Sequence, residues 1–252
     1  MSGAYTSDDR KGFFAKSSLR VPQPWLWLAL LICTVVAGLY PVGYRLIRAV
    51  MILASVVIVV WGLYLVRRRK TLVTLMAAAC ALSLVFVCLP GRQADAPALR
   101  QAYVRELLAY EGTPYVWGGE NRFGIDCSGL VRKALINANL RLGLQTLNPR
   151  LVRRALYLWW NDCTAQALRD GHLGLTTRVQ SVAAINVVAA DTLASGDLAV
   201  TASGVHVLAH LGDGEWIEAD PGEMKVIRVR TPAKNTWFQT PVHILRWAEL
   251  QP

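Results

Sequence analysis

The chain has 252 residues, enough for one ordinary domain and a further segment, and 54% of them are apolar, which is high for a soluble protein. Its net charge of +10 is concentrated at one end, because residues 1–91 hold ten of the 27 Lys and Arg but only two of the 17 Asp and Glu. The remainder is nearly balanced in charge, so nucleic acid is excluded as a partner. The sequence contains no Cys-x-x-Cys and no His-Glu-x-x-His, which excludes the common zinc frameworks and a dense disulfide framework.

The N-terminal third of the chain has the pattern of a membrane domain. Residues 1–24 are polar and mildly basic, without apolar periodicity, and form a predicted tail. Three uncharged apolar segments follow, Trp25–Tyr44, Ala49–Val66 and Thr71–Leu89. Each is close to the length of about 20 residues that a helix needs to cross a hydrocarbon core. We therefore predict three transmembrane helices over residues 25–90.

The charges between the segments predict their orientation. Arg67–Lys70 places four consecutive positive charges between the second and third segments, and such a loop is retained in the cytoplasm. Three crossings then put the tail inside and everything after Leu89 outside. Arg45 and Arg48, between the first two segments, argue mildly against this orientation but are outnumbered. We predict a multi-pass protein of the cell (inner) membrane whose C-terminal domain lies on the periplasmic or extracellular face.

A linker, residues 90–96, leads into an amphipathic helix predicted over Ala96–Glu111. Gly112 supplies its C-terminal stop. The apolar stripe of this helix consists of Leu99, Tyr103, Leu107 and Tyr110. We expect that stripe to pack against a neighbouring helix.

Cys127 lies where a Gly-rich aromatic loop meets an apolar run with helical spacing, Ser128–Ala138. This spacing predicts a thiol at a helix N-terminus, where unpaired N–H groups and the helix dipole favour the nucleophilic thiolate. Asp126 is a suitable N-cap for that helix. Spacing alone fits a buried structural cysteine equally well. A disulfide with Cys163 is disfavoured, because it would disable the nucleophile.

A further helix of about six turns is predicted over residues 149–170. Asn148 and Pro149 signal its start and Gly171 its end. Its predicted buried face consists of Leu151, Val152, Ala155, Leu156, Trp159 and Cys163. The adjacent Trp159 and Trp160 fit packing in the core, a wall of a substrate cleft or contact with the bilayer surface.

From Leu193 onward the apolar pattern changes to the period of β-strands. Five strands are predicted, Asp197–Thr201, Val205–Leu211, Glu215–Ala219, Lys225–Val229 and Val242–Trp247. Gly212–Gly214 is a strong hairpin signal. Helices followed by short antiparallel strands predict an α+β domain over residues 96–252.

Two stretches together resemble the NlpC family of cell-wall cysteine peptidases, which have a papain-like fold. The first contains Tyr-x-Trp-Gly-Gly, from Tyr115, and Asp-Cys-Ser-Gly-Leu-Val, from Asp126. The second, Ser195–Asp220, is similar to the family's Gly-Asp-Leu turn, His-bearing strand and Gly-Asp-Gly hairpin. The resemblance covers about Ala96–Trp247 and implies helices packed on an antiparallel sheet, with no metal and no cofactor.

The resemblance also implies catalytic roles. Cys127 is the expected nucleophile and His206 the expected base, although strand alternation puts His206 and His210 on one face and spacing alone does not choose between them. The family's orienting group, usually His, Asn or Gln, corresponds here to Glu218. A carboxylate can accept the imidazole N–H, so this departure fits a tuned site, but it also fits a domain that cleaves poorly.

The remaining expected site residues come from the first motif. By resemblance, the Tyr115 hydroxyl helps the Cys127 backbone N–H to stabilise the tetrahedral oxyanion. Asp126, Ser128 and Trp117 are the expected contacts with the stem peptide.

The implied function is hydrolysis of amide bonds in peptidoglycan stem peptides, typically between D-Glu and diaminopimelate, by Cys-His-Glu catalysis. One alternative is a papain-like acyltransferase or amidase that acts on a lipid, because the domain is tethered beside a bilayer. The other is a catalytically weak, wall-binding scaffold of an envelope complex. The sequence names no protein partner.

Overall fold

The computed structural model describes residues 23–251, so the predicted tail, residues 1–24, lies outside the described residues apart from its last two. The described chain begins with three apolar helices: α1, Gln23–Leu39, α2, Arg45–Leu65, and α3, Lys70–Cys88. α1 and α2 form a hairpin in which the Trp27 indole donates to the Ile58 carbonyl at 2.8 Å. The basic turn before α3 lies at the end of α2 that is opposite the α1–α2 loop.

Two of these helices, α2 with 21 residues and α3 with 19, are long and apolar enough to cross a membrane, whereas α1 is a shorter apolar helix of 17 residues. The prediction extended the first segment to Tyr44, but α1 ends at Leu39. The chain turns there because the following residues contact the C-terminal domain. The Pro41 carbonyl accepts from the Glu120 N–H at 2.9 Å, and Val42 forms a β-bridge with Gly119.

Four further helices follow the linker: α4, Ala96–Leu108, α5, Cys127–Gln145, α6, Pro149–Trp160, and α7, Ala165–Arg169. α4 buries its predicted stripe against α5. α6 packs antiparallel to α5, because Leu151 lies beside Gly143 near one end and the Arg132 guanidinium reaches the Leu158 carbonyl near the other.

The single helix predicted over residues 149–170 is wrong, because the chain leaves the helix after Trp160. Asp162 turns towards Arg132, with 2.9 Å between carboxylate and guanidinium. Thr164 then starts a separate helix by accepting the Ala167 N–H on its hydroxyl at 3.1 Å. The ion pair and the new cap together account for the break.

The predicted buried face of that helix is also wrong in one position. Leu156 is 49% exposed, because the buried side of α6 is the stripe of Leu151, Ala155 and Leu158 and Leu156 lies outside that stripe. The other predicted members, Leu151, Val152, Ala155 and Cys163, are buried. Of the tryptophan pair, Trp159 packs against the core, whereas Trp160 is exposed.

A six-stranded antiparallel sheet lies beneath α4 and α5, with the strand order β3-β8-β4-β5-β6-β7. Its strands are β3, Thr176–Val182, β4, Leu198–Thr201, β5, Val207–Gly212, β6, Glu215–Asp220, β7, Lys225–Arg230, and β8, Val242–Trp247. A small hairpin, β1, Glu120–Asn121, and β2, Gly124–Ile125, precedes α5. The five predicted strands are confirmed to within two residues, whereas β3 was not predicted.

The two faces of the sheet carry different clusters of apolar side chains. One face packs against α4 and α5 and forms the main core, which includes Leu130, Leu135, Val207 and Ile217. The other face carries a second cluster around Trp216. Because strand residues alternate, Glu218 shares the face of Trp216. The fold is α+β, as predicted, and the start of α5 lies beside β5 and β6.

Candidate active site

Cys127, the predicted nucleophile, is the first residue of α5, and Asp126 is the N-cap of that helix. Asp126 accepts the Gly129 N–H at 2.6 Å and the Gly118 N–H at 2.8 Å, and its own N–H donates to the Gly119 carbonyl at 3.1 Å. A Cβ on Gly129 would lie 2.2 Å from that carbonyl oxygen, so only glycine fits. The preceding loop and the start of α5 are therefore locked together.

His206 lies immediately before β5 and is buried, with its Nε2 2.6 Å from Oε2 of Glu218. Burial lowers the pKa of His206, but hydrogen bonds to Cys127 and Glu218, together with their charges, outweigh burial and raise this pKa to about 9. The imidazole is therefore protonated at neutral pH and places a positive charge beside Cys127. The Trp237 ring stacks on the imidazole at 4.2 Å and covers one of its faces.

Glu218 is fully buried, and each of its oxygens has a donor. Oε2 faces His206, and Oε1 accepts from Nδ2 of Asn235 at 2.9 Å. Burial raises the pKa of Glu218, and the two donors oppose that rise. Asp220, on the same strand face, accepts from Asn235 at 3.1 Å and from the Gly222 N–H at 2.6 Å. Glu218 is therefore the carboxylate that contacts the imidazole.

His210, which spacing left as an alternative base, is held elsewhere. Its Nδ1 lies 3.2 Å from the Ala194 carbonyl, and its ring packs 4.9 Å from Trp216. Burial lowers the pKa of His210, which favours its neutral form. The structure thus brings His206, and not His210, to Cys127.

The other expected site residues surround the start of α5. Burial raises the pKa of Tyr115 to about 12, with smaller contributions from the charges of Cys127 and Asp126, so the phenol keeps its proton and is available as a hydrogen-bond donor. The Ser128 hydroxyl lies 3.0 Å from Asp126, to which it donates. Trp117 is 80% exposed, the most accessible of the three expected substrate contacts.

Two residues of this site, Asn235 and Trp237, were not identified from the sequence. Both lie in the segment that precedes β8, and the Asn235 side chain also accepts the Trp237 N–H at 2.9 Å. Asparagine is a common N-cap, so the cap formed by Asn235 on the short helical turn could have been recognised from the sequence. Nothing in the spacing connected it to Glu218.

A cavity of about 630 Å³ adjoins this part of the site, and its lining includes Asp220, Asn235 and Trp237. Within residues 23–251, no group of three His, Cys, Asp or Glu side chains is arranged to hold a metal ion.

A buried charge cluster lies behind the loop that carries Trp117. Glu120 accepts from Arg48 of α2 at 2.5 Å and from Arg132 of α5, and Arg132 also pairs with Asp162. Arg48 and Arg132 are only 2% and 1% exposed. Buried charges require partners, and two cations here face two carboxylates. The cluster joins the apolar helix α2 to the first turns of α5, the helix that begins at Cys127.

Comparison with known proteins finds one family model and parts of two known proteins that are similar to this chain. The family model described as NlpC/P60 family matches residues 112–246. The bifunctional muramidase/DL-endopeptidase CwlT of Bacillus subtilis (strain 168) is 46% identical over 43 residues, and dipeptidyl-peptidase 6 of Lysinibacillus sphaericus is 49% identical over 39 residues. These matches cover 17% and 16% of this chain, and only 13% and 14% of the length of those relatives.

A solved structure is also similar to this chain. The NlpC/p60 domain of the peptidoglycan hydrolase SagA is 24% identical, with a TM-score of 0.35. The match covers 57% of this chain and 97% of that one.

Proposed function

The chain belongs to the NlpC/P60 family, and from this premise we propose that it is a membrane-anchored cysteine peptidase that hydrolyses amide bonds in peptidoglycan stem peptides. The observation that carries the proposal is the Cys127–His206–Glu218 constellation at the start of α5. The DL-endopeptidase activity named for the Bacillus subtilis relative favours the bond between D-Glu and diaminopimelate.

Acylation begins with attack of the Cys127 thiolate on the scissile carbonyl carbon. The carbonyl oxygen becomes an oxyanion, which the Cys127 backbone N–H and the Tyr115 hydroxyl stabilise. The protonated His206 then donates its Nδ1 proton to the leaving nitrogen, because Nε2 is engaged by Glu218. The C–N bond breaks, and the thioester and the free amine remain.

Deacylation reverses these roles. His206, now neutral, takes a proton from a water molecule as the water attacks the thioester. Collapse of the second tetrahedral intermediate releases the carboxylic acid and restores the thiolate beside a protonated imidazole. Glu218 accepts the Nε2–H throughout and keeps the ring oriented, and Trp237 limits its tilt.

Mass analysis of products tests the proposed function. We expect the full-length protein in lipid nanodiscs to convert purified muropeptides into two products whose summed mass exceeds that of the substrate by one water. The new amine should lie on diaminopimelate. Transfer or release of lipid acyl groups, with muropeptides intact, would instead support the lipid-directed alternative. Muropeptide binding without any product would support the scaffold alternative.

For the membrane arrangement, we propose that α1, α2 and α3 all cross the bilayer and that the catalytic domain lies outside the cytoplasm. Most apolar side chains of these helices are exposed in the isolated chain, as expected of helices surrounded by lipid. The domain units proposed are a cytoplasmic tail over residues 1–24, a membrane domain over residues 25–90 and the peptidase domain over residues 96–252.

Contacts between the apolar helices and the domain support this orientation. Nη1 of Arg153 in α6 donates to the Val87 and Leu89 carbonyls, at the end of α3, at 2.6 Å each. The Trp159 carbonyl, at the other end of α6, accepts from Arg48 at the start of α2. α6 therefore lies across those ends of α2 and α3, opposite the basic turn Arg67–Lys70, which the positive-inside rule retains in the cytoplasm.

Arg45 and Arg48 argue against this orientation by their charges, but Arg48 is paired within the protein. Arg48 is buried and neutralised by Glu120, so its charge is satisfied within the protein on the proposed outer face. The short linker, residues 90–96, spans at most about 25 Å even when extended. The active site is thereby confined to the layer next to the bilayer, where nascent peptidoglycan is assembled.

A reporter fused to the C-terminus checks the orientation. A reporter enzyme that functions only outside the cytoplasm should be active. A reporter that functions only inside it should be inactive, because an odd number of crossings separates the two termini. Replacing Arg67–Lys70 by four glutamines should weaken the preference, since the cytoplasmic anchor is lost. Activity of the cytoplasmic reporter alone in the unaltered chain would contradict the orientation.

A further inference from the structure

The α1–α2 loop is attached to the loop that precedes the nucleophile by backbone and side-chain contacts. Besides the bond between Pro41 and Glu120, the Asn121 amide donates to the Leu39 and Tyr40 carbonyls at 3.0 and 3.1 Å. Val42 forms a β-bridge with Gly119, the residue that precedes β1. A segment of the membrane domain thus extends the small hairpin that leads into α5.

The side chain of Arg48 adds further contacts between the α1–α2 loop and the C-terminal domain. Its guanidinium reaches three acceptors on three different parts of the chain, the Gly43 carbonyl at 3.1 Å, the Glu120 carboxylate at 2.5 Å and the Trp159 carbonyl at 2.5 Å. The planar guanidinium can serve several acceptors at once, which a lysine ammonium on a flexible stem does less well. Arg48 therefore connects α2, the β1 hairpin and α6 in one place.

The path from Glu120 to the nucleophile is short and tightly packed. Gly119, the residue before Glu120, accepts from the Asp126 N–H, and Gly118 donates to the Asp126 carboxylate. A Cβ on Gly119 would lie 2.5 Å from the Gly124 carbonyl oxygen, so the loop has no room to shift without moving its neighbours. Displacement of Glu120 is therefore transmitted to Asp126, and so to the start of α5 at Cys127.

We propose that Arg48 is a positioning residue and that the α1–α2 hairpin is part of the catalytic unit rather than only an anchor, a role that rests on the peptidase function proposed above. Arg48 fixes the position of Glu120 through their ion pair, and Glu120 in turn fixes the adjoining Gly118–Gly119 loop. This loop fixes the capped start of α5 through its hydrogen bonds to Asp126. The membrane hairpin thereby sets the distance between Cys127 and His206.

The test compares two arginines of the same helical turn in the full-length protein in nanodiscs. Arg45 is exposed at the start of α2, whereas Arg48 is buried against Glu120. Arg45→Gln and Arg48→Gln each remove one positive charge from the first turn of α2, but only Arg48→Gln removes contacts with the C-terminal domain. We expect Arg48→Gln to lower kcat by about tenfold to a hundredfold with little change in KM, the range that a misplacement of about 1 Å produces, and Arg45→Gln to retain the original kcat.

Two further variants distinguish positioning from general damage. Glu120→Gln should lower kcat as Arg48→Gln does, and the double variant should lose less than the product of the two single losses, because both changes break the Arg48–Glu120 ion pair that the two residues share. Arg48→Lys, which keeps the charge but not the fork of donors, should give an intermediate kcat. Equal kcat for Arg45→Gln and Arg48→Gln, or additive effects of Arg48→Gln and Glu120→Gln, would overturn the proposal.

A readout that needs no substrate separates this proposal from the peptidase function. The rate at which iodoacetamide labels Cys127, followed by peptide mass mapping across a pH series, reports the distance and charge of its imidazole partner. We expect the pH profile to shift in Arg48→Gln and to stay unchanged in Arg45→Gln. If the profile shifts in this way but the protein does not hydrolyse muropeptides, the peptidase function is refuted and the positioning role of Arg48 is supported. Identical profiles in all variants would refute the positioning role.

Discussion

Cys127→Ala should lower kcat/KM for muropeptide hydrolysis by about 10⁴-fold or more, because the variant lacks the only group that forms the thioester and leaves catalysis to the oxyanion donors and binding alone. His206→Ala should be comparably damaging, since the thiolate then loses its proton donor as well as the charge that stabilises it. The measurement is product formation by mass spectrometry with the full-length protein in nanodiscs. The two substitutions together should cost little more than either alone.

Cys163→Ala is the matched control, because Cys163 is also a buried cysteine in the same domain. Burial raises the pKa of the Cys163 thiol to about 11, so it stays protonated and unreactive at neutral pH. We expect Cys163→Ala to keep its activity and to lose only about 1 kcal/mol of stability from the small cavity. Iodoacetamide should label the Cys127 peptide in this control. Loss of activity in Cys163→Ala with Cys127→Ala still active would contradict the assignment of the nucleophile.

The parts of the fold that could be predicted are those determined by local pattern. The C-terminal strands are short runs with apolar residues, and turn residues bound them, so their positions follow from the sequence. The start of α5 could be predicted because a cap, a cysteine and an apolar run are consecutive. β3 escaped prediction because it pairs only with β8 at the sheet edge and is largely exposed, so its sequence lacks an apolar period.

The parts of the site that could not be predicted depend on long-range contacts. Asn235 and Trp237 follow Glu218 by 17 and 19 residues, and the turn between them and β7 brings them back to the imidazole. No spacing rule connects a cap in a loop to a buried carboxylate on a strand. Glu218 itself was found because it follows His206 across one hairpin, where strand alternation and the resemblance apply together.

Arg48 illustrates a different failure. In the sequence it is one of two positive charges in a short loop between apolar segments, and such charges count against an outer location. The acidic partner, Glu120, lies 72 residues away. Only the packing of the hairpin on the domain reveals that this charge is paired, and that a residue counted as a topology signal lies behind the active-site loop.

Glu218→Gln should keep part of the activity and move the alkaline limit of kcat/KM to lower pH. In the unaltered protein the hydrogen bonds to Cys127 and Glu218, together with the charges of these groups, hold the pKa of His206 at about 9, above its usual value, so the protonated imidazole that the thiolate needs is lost as pH rises through about 9. Burial lowers the pKa of His206, and without the Glu218 charge this lowering is opposed less strongly. The ion pair is then lost at a lower pH, while the amide oxygen still accepts the Nε2–H.

Glu218→Ala should be worse than Glu218→Gln, because it also removes the acceptor and leaves the buried Nε2–H without a partner. We expect a loss of about 10³-fold, within the roughly 10⁴-fold that an orienting carboxylate contributes in related catalytic triads. The pH profile of kcat/KM for both variants, measured on muropeptides, separates the loss of charge from the loss of orientation, since only the alanine variant should stay slow at every pH.

Asp220→Asn is the matched control, because Asp220 lies on the same strand face and shares the donor Asn235 but contacts Gly222 instead of the imidazole. This variant should keep the alkaline limit of the unaltered protein near pH 9 and lose less activity than Glu218→Gln. A larger loss in Asp220→Asn, or an unmoved alkaline limit in Glu218→Gln, would show that the carboxylate orienting His206 is not Glu218. The site would then hold its imidazole by Trp237 stacking and burial, with Glu218 serving only to pair with Asn235.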